Sequence, residues 1–260
     1  MVISSKENNI IKEVKRLKEK KYRNEKYIIE GHKMIDEAIQ ESVKIDIIIM
    51  TEEFANHNQK YVEKINNYKF ILVTENVFKE LTEVKTPQGI LAVVYKKEQR
   101  KIDEKADYIM ALDDVQDPGN IGTIIRTLDS ANIKQLIVSR GTVDAYSPKV
   151  VRSTMGAIFR VQIIEVENLS ETLNSLKQKG FDLVSTSLQT DKNIYDINYN
   201  KKVVVIGNEA NGVSKEIQDA SDYKVKIPMM GKTESLNASV AASIMIYEYV
   251  REKIEGIIWD

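Results

Sequence analysis

The chain has 260 residues, 38 basic against 39 acidic side chains, and a formal net charge of -1; it is 42% hydrophobic and 30% charged. That balance excludes a disordered chain and leaves apolar material for one large domain or two modest ones. There is no cysteine, which excludes disulfides, iron–sulfur clusters and thiolate catalysis, and the two histidines, His32 and His57, cannot build a histidine-rich metal centre. No apolar run approaches the roughly 18 residues of a membrane span, and residues 1–10 lack a signal-peptide core, so a reducing, cytoplasmic setting is expected.

In residues 6–26, Ile10, Ile11, Val14 and Leu17 recur at helical spacing among Lys12, Lys15, Arg16, Lys18, Lys20, Lys21, Arg23 and Lys26. This predicts an amphipathic helix with a basic face. Strands are expected at 27–29, 45–50, 70–73 and 89–95, and helices at 31–39 and 76–81, which makes a small α/β domain. Residues 96–105, KKEQRKIDEK, carry charge without a packing pattern. They read as a linker or as a solvated helix extension. The expected division is a first domain over 1–96, a linker over 97–106 and a second domain over 107–260.

The second domain is expected to begin with a strand at 108–112, then a DPGN turn at 117–120. Ile121, Ile124, Ile125 and Leu128 form the apolar stripe of the next helix. Further strands are expected at 135–138, 160–166, 181–186, 202–206 and 223–227. Helices follow Ser147–Pro148, span 169–179 up to Gly180, follow Ser214 and span 236–249. Strand–helix alternation of this kind predicts a largely parallel sheet with helices on both faces. Ile257, Ile258 and Trp259 belong to a loose tail or dock back.

In such a sheet, ligands gather beyond the carboxyl ends of the strands. Three loops there are rich in glycine, asparagine and small residues: 117–126, 207–212 and 227–237. Neither GxGxxG nor GxxxxGK[ST] is present; Gly231–Lys232–Thr233 has the tail of the second, but residue 226 is Lys. There is no GxSxG elbow. Arg126, one turn beyond Gly122, either grips a phosphate with its guanidinium fork or solvates a helix face. Glu209 either holds a loop through backbone N–H groups, contacts a ligand, or is an exposed turn acid. Asn208, Asn211 and Asn237 are equally open, since asparagine favours turns for local reasons. One of Ser235 and Asn237 serves as a helix cap. His32, at a helix start, and His57, in a polar stretch, read as structural or surface residues.

At these loops the chain closely resembles the SpoU/TrmH family of RNA ribose 2′-O-methyltransferases in the SPOUT superfamily. The three motifs stand as NIGTIIRT (120–127), VVVIGNEANGVS (203–214) and IPMMGKTESLNASVAASIMIYE (227–248). The stretches RLKEKKYRNEKYIIEGHKMIDEAI and VKTPQGILAVV resemble the family's N-terminal substrate-binding domain, itself similar to the L30e and L7Ae group. The resemblance implies a C-terminal SPOUT (α/β knot) domain with a deep trefoil knot within about residues 184–250, and a smaller L30e-like α/β domain before it. Sequence physics alone does not demonstrate a knot.

The implied reaction moves a methyl group from S-adenosyl-L-methionine to a ribose 2′-hydroxyl of RNA. Ribosomal RNA is favoured, a 23S guanosine foremost, with transfer RNA as the alternative. By resemblance the catalytic residues are Arg126 and Asn120 on the substrate side, Glu209 from the second motif, and Ser235 and Asn237 from the third. Cofactor contacts map to Thr186, Gly207, Ile227, Met229 and Leu236, with Ser185 and Ser187 as neighbours. No metal is implied. A homodimer through the knotted domains is implied, with the site at their interface.

The residue types suit this chemistry. A sulfonium methyl is already activated, so orientation supplies much of the rate. A guanidinium has five donors and no acceptor, so Arg126 suits phosphate binding and alkoxide stabilisation better than proton abstraction. Gly207→Val is expected to abolish cofactor binding before it unfolds the sheet. Lys12, Lys15, Arg16, Lys20 and Arg23, with Lys21 and Lys26 nearby, form the expected RNA-binding patch. Two other classes stand beside this reading: a noncatalytic RNA-binding or ribosome-assembly protein, and a nicotinamide oxidoreductase, against which the missing GxGxxG counts.

Overall fold

The computed structural model describes residues 2–98 and 101–256. Gln99 and Arg100 of the expected linker, and Ile257, Ile258 and Trp259, lie outside the described residues. The chain divides into two compact units, one holding the residues up to 98 together with 146–159, the other holding the remainder.

The first unit contains β1 (Val2–Ile3), α1 (Asn9–Arg16), β2 (Lys26–Glu30), α2 (His32–Gln40), β3 (Ile45–Thr51), α3 (Glu52–His57), α4 (Gln59–Lys64), β4 (Phe70–Val73), α5 (Glu75–Leu81) and β5 (Ile90–Tyr95). Its sheet runs β1-β4-β3-β5-β2, parallel at β1/β4 and β3/β4 and antiparallel at β3/β5 and β2/β5. The expected strands are present; β1, α3 and α4 were not expected. Thr51 starts α3 by accepting from the Phe54 N–H at 3.0 Å.

The helix expected across residues 6–26 is much shorter. Asn8 caps it by accepting from the Ile10 N–H, and it ends at Arg16. Arg23 is the reason the chain turns away. Its side chain is buried at 5% exposure and donates to the Leu17 carbonyl at 2.7 Å. Ile11 and Val14 bury against Phe78, Leu81 and Leu91.

The second unit contains β6 (Tyr108–Asp113), α6 (Pro118–Ser130) and β7 (Gln135–Ser139). The chain then departs through α7 (Pro148–Ser153), which packs on β2 as part of the first unit. There Tyr146 meets Tyr27 with ring centroids 4.9 Å apart. The sequence reading assigned 146–159 to the second domain; its apolar residues Val150, Val151, Ala157, Ile158 and Phe159 are buried with the first.

The second unit resumes with β8 (Gln162–Val166), α8 (Leu169–Gln178), β9 (Asp182–Thr186), β10 (Lys202–Gly207), α9 (Lys215–Ala220), β11 (Tyr223–Val225) and α10 (Ala238–Ile254). Its sheet runs β11-β9-β10-β6-β7-β8 and every pair is parallel, as the alternation predicted. The β-branched run of β10 is buried along its whole length. The expected turn at 117–120 is instead a helix start: Asp117 accepts from the Asn120 N–H, and Pro118 opens α6. Much of the expected linker is docked. Asp103 exchanges two hydrogen bonds with the buried Gln135 side chain, and Ile102 and Ala106 pack against the sheet's core.

α10 fixes the third loop, because its first turn receives that loop and its last turns are anchored below. Tyr249 stacks on Tyr108 with centroids 4.8 Å apart. The Glu252 carboxylate, 4% exposed, accepts from the Tyr199 N–H at 2.8 Å. Burial raises the Glu252 pKa, outweighing that hydrogen bond. The folded state therefore favours the protonated form. Stability from this group is fully present below the unfolded carboxyl pKa and is lost as pH rises through the raised folded value. Glu252→Gln is expected to raise the thermal midpoint at pH 7, the advantage vanishing near pH ~4 where Glu252 is itself neutral. Melting curves across that range check it.

Candidate active site

β6 and β10 are neighbours in register, with Ile206 opposite Leu112 and Gly207 opposite Asp113. Their chains diverge at the carboxyl edge, which is where an open parallel sheet forms its crevice. The loop after β10 is a tight hairpin: Asn208 and Gly212 exchange backbone hydrogen bonds of 3.0 and 2.8 Å. Asn208 is a scaffold residue. Its Oδ1 accepts from the Ala210 and Asn211 N–H groups, and its Nδ2 donates to the Asp114 carbonyl.

Glu209 ties this hairpin to the first loop. Its carboxylate accepts from the Gln116 N–H at 3.1 Å, the Asp117 N–H at 3.2 Å and Asn120 Nδ2 at 2.7 Å. Partial burial pushes its pKa up, but the hydrogen bonds from Asn120 and the backbone outweigh that and hold it below the ordinary carboxylate value. It is therefore an anion at neutral pH. Asn120, 6% exposed, accepts in turn from Asn237 Nδ2 at 2.9 Å. Asn237 is the cap of α10: its Oδ1 accepts from the Ser239 N–H at 2.9 Å and the Ser239 hydroxyl at 2.7 Å. The three loops singled out in the sequence are thus joined by one chain of hydrogen bonds.

Beside this chain lies a cavity of about 380 Å³ at the ends of β9, β10 and β11. Thr186, Gly207, Ile227, Met229 and Leu236, the five residues expected to contact a cofactor, all line it. Glu209 and Ser235 line it as well, and so does Ser187. Ser185 is fully buried and its hydroxyl has no hydrogen-bond partner among the described residues. Arg126 does not line the cavity. It is exposed on α6 and makes no side-chain hydrogen bond or ion pair among the described residues.

The chain resembles known proteins over most of its length. The sequence model of the SpoU rRNA Methylase family matches residues 107–247, and that of the MRM3-like substrate binding domain matches residues 8–92. The chain is 31% identical to the Bacillus subtilis 23S rRNA (guanosine(2553)-2′-O)-methyltransferase RlmP over 94% of its own length and 97% of that protein's. The chain belongs to the SpoU rRNA methylase family. It is an S-adenosylmethionine-dependent RNA ribose 2′-O-methyltransferase. Among solved structures, the SpoU methyltransferase AviRb of Streptomyces viridochromogenes in complex with AdoMet superposes with a TM-score of 0.85 at 26% identity, covering 95% of this chain and 98% of that one. An AdoMet-bound rRNA methyltransferase of Sinorhizobium meliloti gives 0.84 at 28% identity, covering 97% and 98%.

The cavity suits this family's cofactor. Its volume falls in the small-ligand range of about 300–1,000 Å³. It offers apolar walls for an adenine at Ile206, Ile227 and Leu236, and polar groups at Thr186 and Ser235. The RNA-facing set is less uniform. Lys12, Lys15, Arg16 and Lys20 are exposed, whereas Arg23 is buried and serves the turn after α1, so it leaves the expected patch. Lys15 and Lys6 both bond Glu80 at 2.6 Å, and these bonds pull the Glu80 pKa down to about 2. Lys12 pairs with Glu7, and Lys21 with Glu19 at 2.9 Å. Sequence reasoning missed Asp117 as the cap of α6, although an Asp–Pro pair at a helix start is the same signal as Ser147–Pro148.

Gly207 is explained by the backbone rather than by the ligand. A Cβ there stands 2.0 Å from the carbonyl carbon of Gly212 and 2.1 Å from the Val213 nitrogen. Gly207→Val therefore breaks the hairpin itself, contrary to the expectation that binding is lost before folding. Even Gly207→Ala is expected to cost about 3 kcal/mol and to weaken cofactor binding in parallel. Thermal melting and calorimetric titration of one preparation check this.

Proposed function

We propose that this enzyme methylates ribosomal RNA, with a 23S guanosine as the favoured target, in the cytoplasm. Support comes from the name and full-length match of the Bacillus subtilis relative and from the separate N-terminal substrate-binding domain. The observation that carries the reading is the hydrogen-bonded convergence of Asn120, Glu209 and Asn237 beside the cavity that Ser235 also lines.

When bound, the cofactor supplies a sulfonium-activated methyl group. The chain's own task is to hold a ribose hydroxyl in line with it. Asn120 and Asn237 shape the floor on which the acceptor rests. Glu209, ionised and accepting three hydrogen bonds from the first loop, keeps the loops in place rather than acting as the base. Arg126 binds the phosphate next to the acceptor ribose and stabilises the developing alkoxide. A guanidinium has no acceptor, so a phosphate oxygen or water takes the proton.

Arg126 serves the cavity of a second copy. Its exposure on α6, away from its own cavity, supports this. So does the neighbouring face of α10, where Val240, Tyr247 and Ile254 are exposed at 45%, 50% and 80%. The first unit is L30e-like and holds the RNA through Lys12, Lys15, Arg16 and Lys20. The family's trefoil knot falls within about residues 184–250, supported by the resemblance of the second and third motifs.

Incubation with labelled cofactor and total RNA lacking the modification tests the target; the label is expected at one 2′-O-methyl guanosine in 23S RNA, and label in transfer RNA alone counts against it. Arg126→Lys is expected to slow methylation about 10²-fold while leaving cofactor affinity unchanged; a wild-type rate ends the proposed role. RNA affinity is expected to fall as salt rises, more steeply for wild type than for Lys12→Gln/Arg16→Gln.

A further inference from the structure

Three ionisable residues line the cofactor cavity: Glu209, Lys226 and Glu234. Glu209 already accepts three hydrogen bonds from the first loop. Lys226 and Glu234 make no side-chain hydrogen bond or ion pair among the described residues. One basic and one acidic residue without side-chain partners among the described residues therefore line the same cavity.

Their backbones differ. Lys226 is held: its N–H donates to the Lys192 carbonyl and its carbonyl accepts from the Ile194 N–H, both at 3.0 Å. Residues 227–236, which carry Glu234, make no backbone or side-chain hydrogen bond among the described residues. Met230, at the middle of this segment, is 97% exposed. Gly231 has open space where a Cβ would sit. A segment with so few internal bonds belongs to the low-stability end of a fold and is readily ordered by a ligand. Glu234 thus sits on a segment without hydrogen bonds of its own among the described residues, whereas the Lys226 backbone is bonded on both sides.

The cofactor's adenine and ribose carry no charge at neutral pH. Its amino-acid end carries an ammonium and a carboxylate on one carbon. We infer that Lys226 takes the α-carboxylate and Glu234 the α-ammonium of the cofactor, with residues 227–236 closing as the second contact forms. The inference rests on the assignment of this cavity to the cofactor. Charge-assisted bonds are the stronger class of hydrogen bond, so this pair anchors the methionine end while backbone groups hold the adenosine.

The test compares S-adenosylhomocysteine with 5′-methylthioadenosine, which keeps the adenosine and lacks the amino-acid end. Calorimetric titrations use wild type, Lys226→Met, Lys226→Arg and Glu234→Gln, each first checked by thermal melting. Lys226→Met and Glu234→Gln are expected to bind S-adenosylhomocysteine about tenfold or more weakly, with methylthioadenosine affinity unchanged within about twofold. Lys226→Arg is expected to retain most of the preference. Hydrogen exchange in 227–236 of the wild type is expected to slow with S-adenosylhomocysteine and not with methylthioadenosine. Equal losses for both ligands, or no loss in either variant, overturn the assignment of the pair while leaving the cavity's role intact. Wild type that binds neither ligand overturns both.

Discussion

Glu209 can only accept hydrogen bonds, and that one-sidedness orders the whole site. An ionised carboxylate between two backbone N–H groups and an amide forces the Asn120 side chain to present its NH₂ inward. The Asn120 oxygen then faces Asn237, whose NH₂ must meet it. The Asn237 oxygen is left for the donors at the start of α10. Each amide has one workable orientation because the chain has an anion at one end and helix N–H groups at the other. The loops after β6, β10 and β11 are held in mutual register by polarity as much as by packing.

This device suits its place. Loops at the carboxyl edge of a parallel sheet lie where apolar packing thins out, and glycine and asparagine cannot fill a core. Below them the sheet is heavily buried, with β6, β7 and β10 fully so. Asp113 links the two regimes: it ends β6, and its Oδ2 accepts from the Ser214 N–H at 2.8 Å, closing the far side of the β10 hairpin. Gly207 permits that closure, since any side chain there runs into the hairpin's own backbone.

Much of this was legible in sequence because periodicity and strand composition report burial directly. The buried run of β10 and the stripe Ile121, Ile124, Ile125 and Leu128 predicted a parallel sheet with helices on its faces, and that sheet is present. The clustering of Thr186 with second-motif and third-motif residues was also anticipated by resemblance: the five residues expected to contact a cofactor line one cavity. What failed were inferences from charge. Arg23 reads like its lysine neighbours, but a planar fork with five donors also caps a carbonyl in a buried turn. The docking of residues 102–106 was not legible either, since two hydrogen bonds to Gln135 and the packing of Ile102 and Ala106 leave almost no periodic trace. The allegiance of 146–159 was hidden for a different reason: its apolar residues announce burial without naming the partner, and they bury against β2.

The contrast between the second and third loops bears on how the enzyme turns over. The hairpin at 207–212 is crosslinked by its own backbone, by Asn208 and by Glu209. The segment 227–236 is crosslinked by nothing among the described residues until Asn237. One wall of the cavity is therefore heavily crosslinked and the other, between Lys226 and the cap of α10, carries no hydrogen bonds of its own among the described residues. A crosslinked wall suits chemistry in which small displacements of aligned groups cost rate. The bonds of Asn120 to Glu209 and Asn237 lie outside the segment 227–236, so the anchoring of Asn120 does not depend on that segment. The hydrogen-bonded chain through Asn120 is thus built independently of the least crosslinked part of the cavity wall.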